Sequence, residues 1–289
     1  MKRPAHVLFV LCLTLSALPL FASDKSAPDL NGTPDLIVSD MLGQQWVVRE
    51  ENLPANFCSV IEGGVTPGIR KIIRFTVTTP NIGDADIFIG DPNVHVAADD
   101  GLYEFSTCHN HYHFKNYTLY QLIDPNSGFV WRAAKHGFCM LDTDPASMSV
   151  YDQSILNNMQ PPGPNFYLSC GRVGIPGNQG ISHGWADTYR FFLGGQYFVL
   201  DGGDGQAPVP AGDYILRITV DPPYAPDTKG NCPRFKDPVT GLCHQFQESN
   251  YANNSREVIV QIPDHPGRAG VGPLNNTKPL DNEPAEHDQ

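Results

Sequence analysis

Lys71-Ile72-Ile73-Arg74-Phe75-Thr76-Val77-Thr78 is the stretch on which the fold turns. Its first half is nearly continuously apolar and its second half alternates, as in a strand with one packed face. Tyr214-Ile-Leu-Arg-Ile-Thr-Val-Asp221 behaves the same way. Other short β-branched or aromatic runs, at 35–39, 191–200 and 257–262, are bounded by Gly, Pro, Asn or Asp. Helical periodicity is weak, and 26 prolines and 27 glycines cut the chain too often for crossover helices. These features predict a mainly β chain: an antiparallel β-sandwich-like domain with long loops and little helix. Residues 142–180, with Pro-Pro-Gly-Pro at 161–164, read as a long loop region of the kind that often carries function.

The ends read differently. Lys2 and Arg3, an apolar run from Val7 to Leu20 and the small residues Ala22 and Ser23 make residues 1–22 a cleaved secretory signal, with an uncleaved anchor as the alternative. The run is too short to span a bilayer comfortably, so no membrane insertion of the mature chain is expected. After Ile262 the composition turns polar, and residues 264–289 read as a disordered tail. One domain then occupies 23–263. Without the leader the formal charge is 17 − 31 = −14, from 19 basic and 31 acidic residues less Lys2 and Arg3. Such a charge disfavours phosphate-backbone binding, so no nucleic acid partner is expected.

Cys12 lies in the leader, leaving Cys58, Cys108, Cys139, Cys170, Cys232 and Cys243. In an exported chain, secreted or periplasmic, an even six reads as three disulfides. Spacing alone selects none of the 15 pairings, although Cys232 with Cys243 would close a Pro/Gly-rich loop. Metal binding by cysteine competes poorly, since there is no C-x-x-C pair.

Cys108-His109-Asn110-His111-Tyr112-His113 carries the chemistry. Imidazoles at i, i+2 and i+4 project from one face of an extended strand. On a straight strand the outer two Cα atoms would lie about 13 Å apart, near the limit for sharing an ion, so a bend or bulge is expected. Imidazole suits copper, zinc, iron and nickel, with Cu2+ highest in affinity among the divalent ions of that row. Three separately satisfied histidines are the bland reading, and the repeated spacing argues against it. His95, His136, His183 and His244 are isolated and read as loop or core residues.

This motif resembles the copper motif of the lysyl oxidases, a Cys followed by three alternating histidines with Tyr before the last. Lys135-His-Gly-Phe-Cys-Met-Leu-Asp-Thr143 resembles the family segment holding the lysine precursor of the cofactor. Gly180-Ile-Ser-His-Gly-Trp-Ala-Asp-Thr-Tyr189 resembles the segment ending in the tyrosine precursor. Pro34-Asp-Leu-Ile37, the 210–222 segment and Glu248-Ser-Asn-Tyr-Ala-Asn-Asn254 extend the likeness over residues 34–262. The resemblance implies a copper-dependent amine oxidase, and the short leader and compact architecture point to a bacterial-type member. Copper would sit on His109, His111 and His113, and a lysine tyrosylquinone would be built from Lys135 and Tyr189. A primary amine, peptidyl lysine or a small amine, would be deaminated to an aldehyde with O2, releasing H2O2 and ammonia. It also implies bridges Cys58–Cys108 and Cys139–Cys170. On their own, Lys135 would read as a solvated loop charge and Tyr189 as a core aromatic.

Departures are visible as well. Animal members have a further histidine where this chain has Phe105-Ser106-Thr107, they contain more cysteines, and their connection between the two precursors is shorter. Asp187, on the strand face of Tyr189, is a candidate base, with a hydrogen-bonded turn carboxylate as its ordinary reading. Two other classes compete. A non-catalytic immunoglobulin-like β-sandwich metal-binding module explains the frame but not the histidine spacing. A plain metal enzyme with three histidine ligands explains the histidines but not the Lys135 and Tyr189 segments. The natural amine and the oligomeric state are not readable from the residues.

Overall fold

The computed structural model describes residues 27–43, 45–135 and 137–266. The expected leader lies outside these residues, as does the expected tail from residue 267 onward.

After a 3-10 turn at Asp40–Gly43 come the first strand β1 (Trp46–Leu53), a single helical turn α1 (Cys58–Ile61), β2 (Gly68–Phe75), β3 (Val77–Pro80) and β4 (Ile87–Gly90). A short helix α2 (Pro92–Ala98), capped by the Asp91 side chain on the Asn93 amide, leads to β5 (Tyr103–Ser106) and β6 (His111–Phe114). Then follow β7 (Thr118–Ile123), β8 (Val130–Arg132), β9 (Asp144–Pro145), α3 (Gln153–Asn158), β10 (Gln179–Ile181), β11 (Trp185–Tyr189) and β12 (Tyr197–Val199). The last strands are β13 (Gly212–Val220), β14 (Phe235–Lys236), β15 (Cys243–His244) and β16 (Ser255–Ile262).

Every ladder is antiparallel, and the sheets are small: β1-β2-β12, β10-β4, β3-β11-β9, β16-β13-β7-β8, β14-β15 and the β5-β6 hairpin. The expectation of a mainly β domain with little helix holds. The 142–180 region is largely loop, interrupted by β9 and α3.

Individual strands depart from the sequence pattern for local reasons. The 71–79 run breaks at Thr76, whose amide leaves the ladder to donate to the Gln45 carbonyl while its hydroxyl accepts from Phe191 N–H. The two halves therefore enter different sheets. Residues 35–39 run beside β3, with Ile37 and Ser39 N–H donating to the Pro80 and Thr78 carbonyls, but form only a bridge from Leu36 to Asn81; side chains take the first two amides, Asp35 N–H donating to Asn81 Oδ1 and Leu36 N–H to Glu248 Oε2. Of 191–200 only 197–199 is strand. The preceding residues turn through Gly194-Gly195 beneath Arg74, whose buried guanidinium donates to the Phe191 and Leu193 carbonyls and to Glu51.

Phe75, Phe114, Phe138, Tyr189 and Phe198 lie in the main core. Three disulfides brace the loops: Cys58–Cys108, Cys139–Cys170 and Cys232–Cys243. These are the two bridges implied by the resemblance and the local pair closing the Pro/Gly-rich loop. Among the described residues no helix is long and apolar enough to cross a membrane.

Candidate metal and cofactor site

β5 and β6 pair Ser106 with His111, so Thr107-Cys108-His109-Asn110 is the four-residue loop of a hairpin. Asn110 has φ 56°, in the left-handed region that asparagine tolerates better than most residues. That reversal supplies the expected bend. His111 and His113 stand on the strand, two apart on one face, and His109 swings back from the loop to join them. The ring centroids are 5.5 Å (His109–His111), 5.0 Å (His109–His113) and 5.1 Å (His111–His113) apart. Three imidazoles sharing one tetrahedral ion through bonds of about 2.0–2.1 Å would have centroids about 5 Å apart. The donor set thus fits a single borderline-soft cation.

The electrostatics favour ligation. Burial, followed by the positive potential of His109 and Lys135, pulls the His111 pKa down to about 4. Burial and then Lys135 pull that of His113 down to about 2. Both rings are neutral around pH 7, and neutral imidazole is the form that binds metal. Gly137 closes the other side: a Cβ there would overlap His113 Nδ1, so only glycine lets this segment lie flat on the ring.

Sequence reading missed Glu62. It follows α1, which the Cys58–Cys108 bridge ties to the histidine loop with Cα atoms 5.5 Å apart. Ser106 Oγ donates to Glu62 Oε1 at 2.6 Å and contacts His109 Nδ1 at 2.9 Å, while Glu62 Oε2 lies 3.2 Å from His109 Nδ1. Burial would raise the Glu62 pKa, but the hydrogen bonds from His109 and Ser106 outweigh it and hold the group at about 2. The tightest donor group among the described residues is Glu62, His109 and His113, with ligand atoms all within 4.8 Å of one another. His111 is not in that group, although its ring adjoins both histidines. Because Glu62 and Ser106 occupy Nδ1 of His109, the carboxylate is best placed to orient that ring with Nε2 turned to an ion. Nothing in the sequence pattern links position 62 to position 108; only the disulfide does.

Lys135 follows β8, and Tyr189 ends β11. Lys135 Nζ lies 4.7 Å from the centroid of the Tyr189 ring and 5.3 Å from that of Phe138. The Tyr189 hydroxyl is buried, donating to the Cys139 carbonyl and accepting from the Cys139 amide, each at 2.7 Å. A cavity of about 280 Å³ opens beside them, lined by Glu62, Glu104, His109, His113, Lys135 and Gly195 among others. Asp187 is buried on the Tyr189 face of β11, its backbone opposite Thr79. The other histidines serve structure: His95 pairs with Asp100, His244 lies against Asp221, and the His183 amide donates to Asp86. His136 lies outside the described residues.

Fold and site together define a disulfide-braced antiparallel β domain that brings His109, His113 and Lys135 to one cavity, with His111 packed against the other two imidazoles and Tyr189 buried beneath the Lys135 amine. A family model described as Lysyl oxidase matches residues 47–229, and the chain belongs to the lysyl oxidase family. It is similar to lysyl oxidase homolog 2 of Gallus gallus, 27% identical over 204 residues, which are 66% of this chain and 22% of that protein. It is also similar to lysyl oxidase homolog 3 of Homo sapiens, 25% identical over 158 residues (54% and 17%), and to protein-lysine 6-oxidase of Gallus gallus, 26% over 157 residues (54% and 30%). The chain therefore spans less than a third of the length of these relatives.

Proposed function

We propose that this chain is an exported copper amine oxidase that converts a primary amine to an aldehyde with O2, releasing H2O2 and ammonia. One observation carries the reading: the Lys135 amine lies over the Tyr189 ring at the wall of a cavity that also presents the imidazoles of His109 and His113. Family membership supports the class of chemistry. His109, His111 and His113 would hold the copper, with Glu62 and Ser106 orienting His109. A lysine tyrosylquinone made from Lys135 and Tyr189 would supply an electrophilic carbonyl and an electron sink. The chain's own residues do the rest. The Cys139 backbone fixes the phenol, Phe138 packs edge-on against the ring at 5.1 Å, and Glu62 and Glu104 place negative charge where a cationic amine enters.

The substrate is proposed as a peptidyl lysine or a small amine, on a catalytic domain spanning 23–263. Three disulfides fit an oxidising compartment, secreted or periplasmic, reached through the leader at 1–22 in a bacterial-type member. A second reading has one specific support: the Glu62–His109–His113 donor group also suits a metal that activates water. A quinone-reactive hydrazine separates the two. The oxidase reading expects a coloured adduct and amine-dependent peroxide after copper loading in air. A copper-loaded protein that stays colourless and makes no peroxide favours the water-activating metal centre.

A further inference from the structure

The ionisable side chains that line the cavity are Glu62, Glu104, His109, His113 and Lys135. All but one are already engaged. The two imidazoles belong to the metal donor group, Glu62 accepts from Ser106 and lies against His109, and the Lys135 amine lies over the Tyr189 ring. Glu104 is the exception. It is the cross-strand partner of His113, as Ser106 is of His111, so its side chain stands on the same face of the β5-β6 hairpin as those two rings. Its carboxylate is exposed and pairs with no cation and no hydrogen-bond donor among the described residues, and it lies outside the donor group of Glu62, His109 and His113. Much of the remaining lining is backbone, from Gly63, Gly137, Gly194 and Gly195. A molecule that enters therefore meets few side chains, and one unspent negative charge.

We propose that Glu104 is a specificity-determining residue: its carboxylate receives a second cationic group on the substrate, and so favours a linear diamine over a monoamine of equal length. The reacting amine must reach Lys135 and Tyr189 from inside the cavity, and an ammonium further along the same molecule finds its charge-assisted partner in Glu104. That second cation takes no part in the chemistry. Its contact holds substrate and transition state alike, which lowers KM and leaves kcat unchanged. Because the carboxylate is exposed, water screens the pair and the preference is modest. The contact is also distinct from the long-range attraction of an acidic chain, to which any surface carboxylate contributes equally. The inference rests on the oxidase reading above and adds to it the residue that reads the unreacting end of the substrate.

The test compares hexamethylenediamine with hexylamine, reading peroxide release by full-length copper-loaded protein at about 0.05 M salt. Glu104→Gln should raise KM for the diamine about three- to fivefold, the range of one exposed ion pair, with kcat unchanged and both constants for hexylamine within about 1.5-fold of wild type. Glu104→Lys should raise the diamine KM further. Asp99→Asn, which removes an exposed charge outside the cavity lining, should leave it at the wild-type value. A Gln variant that keeps the wild-type preference, or an Asp99→Asn protein that shifts KM as much as Glu104→Gln does, overturns the proposal. The same two amines are also titrated into copper-free protein and followed by NMR: wild type should bind the diamine more tightly, and Glu104→Gln should bind both alike. Copper-loaded wild type that releases no peroxide from either amine overturns the oxidase reading. The titration then decides Glu104 separately: a diamine preference lost in the variant keeps the cation contact, and equal binding by wild type removes it.

Discussion

At the scale of single residues, the site depends on contacts with no slack. Gly137 has room for hydrogen only, because any Cβ would overlap His113. Gly137→Ala should therefore lower Cu2+ affinity by about 10–100-fold, the range typical of losing a ligand's support, with an unchanged circular dichroism spectrum. Titration calorimetry checks this, and an unaltered affinity would mean that His113 is not a ligand. The three histidines were legible because their spacing has no ordinary purpose, and Lys135 and Tyr189 because the segments around them resemble a known family. Glu62 was not legible. An acidic residue after a short helical turn looks solvated until the chain is folded, and its partner Ser106 looks like any strand residue.

Elements set the positions of these residues through their connections. The hairpin loop bearing His109 is tied to α1 by Cys58–Cys108, which closes 50 residues of chain. Loop-closure entropy alone makes such a bridge worth roughly 4 kcal/mol. Cys58→Ser/Cys108→Ser should lose stability of that order in urea titration and lose copper affinity as well, since Glu62 would no longer be held against His109. A variant that loses stability but keeps full affinity would remove Glu62 from the account. A second element-scale prediction concerns β15. Burial lowers the His244 pKa, but the adjacent Asp221 carboxylate and carbonyl outweigh it, so the net shift is upward. A raised folded-state pKa stabilises fully below the unfolded value of about 6.5 and is lost as pH rises through the folded value. The Tm should thus fall as pH is raised from about 6.5 to 8, and His244→Gln should flatten that fall; a parallel decline in the variant would contradict the assignment. Strand patterning foretold β13 and β16 well. It overreached at 35–39, where side chains take the Asp35 and Leu36 amides and only Ile37 and Ser39 reach β3, and at 191–196, where the chain turns beneath the buried Arg74.

Across the whole molecule, a formal charge of −12 and acidic groups at the cavity mouth predict that cationic amines are gathered by long-range attraction. KM for a diamine or a lysine-rich peptide should rise roughly threefold between about 0.05 and 0.3 M salt while kcat holds, as screening shortens the reach of that field. Salt-insensitive KM would confine recognition to short-range contacts. Fold class was legible from proline, glycine and strand periodicity, whereas the division of the described residues into six small sheets was not, because sheet partners are chosen by long-range packing rather than by local pattern. The central claim is that Lys135 and Tyr189 become one cofactor under copper. Peptide mass spectrometry of reduced, copper-loaded protein tests it most directly. The account predicts a single species joining the Lys135 and Tyr189 peptides, absent without copper and absent in His111→Ala. Stoichiometric copper with both peptides recovered separate and unmodified would contradict it.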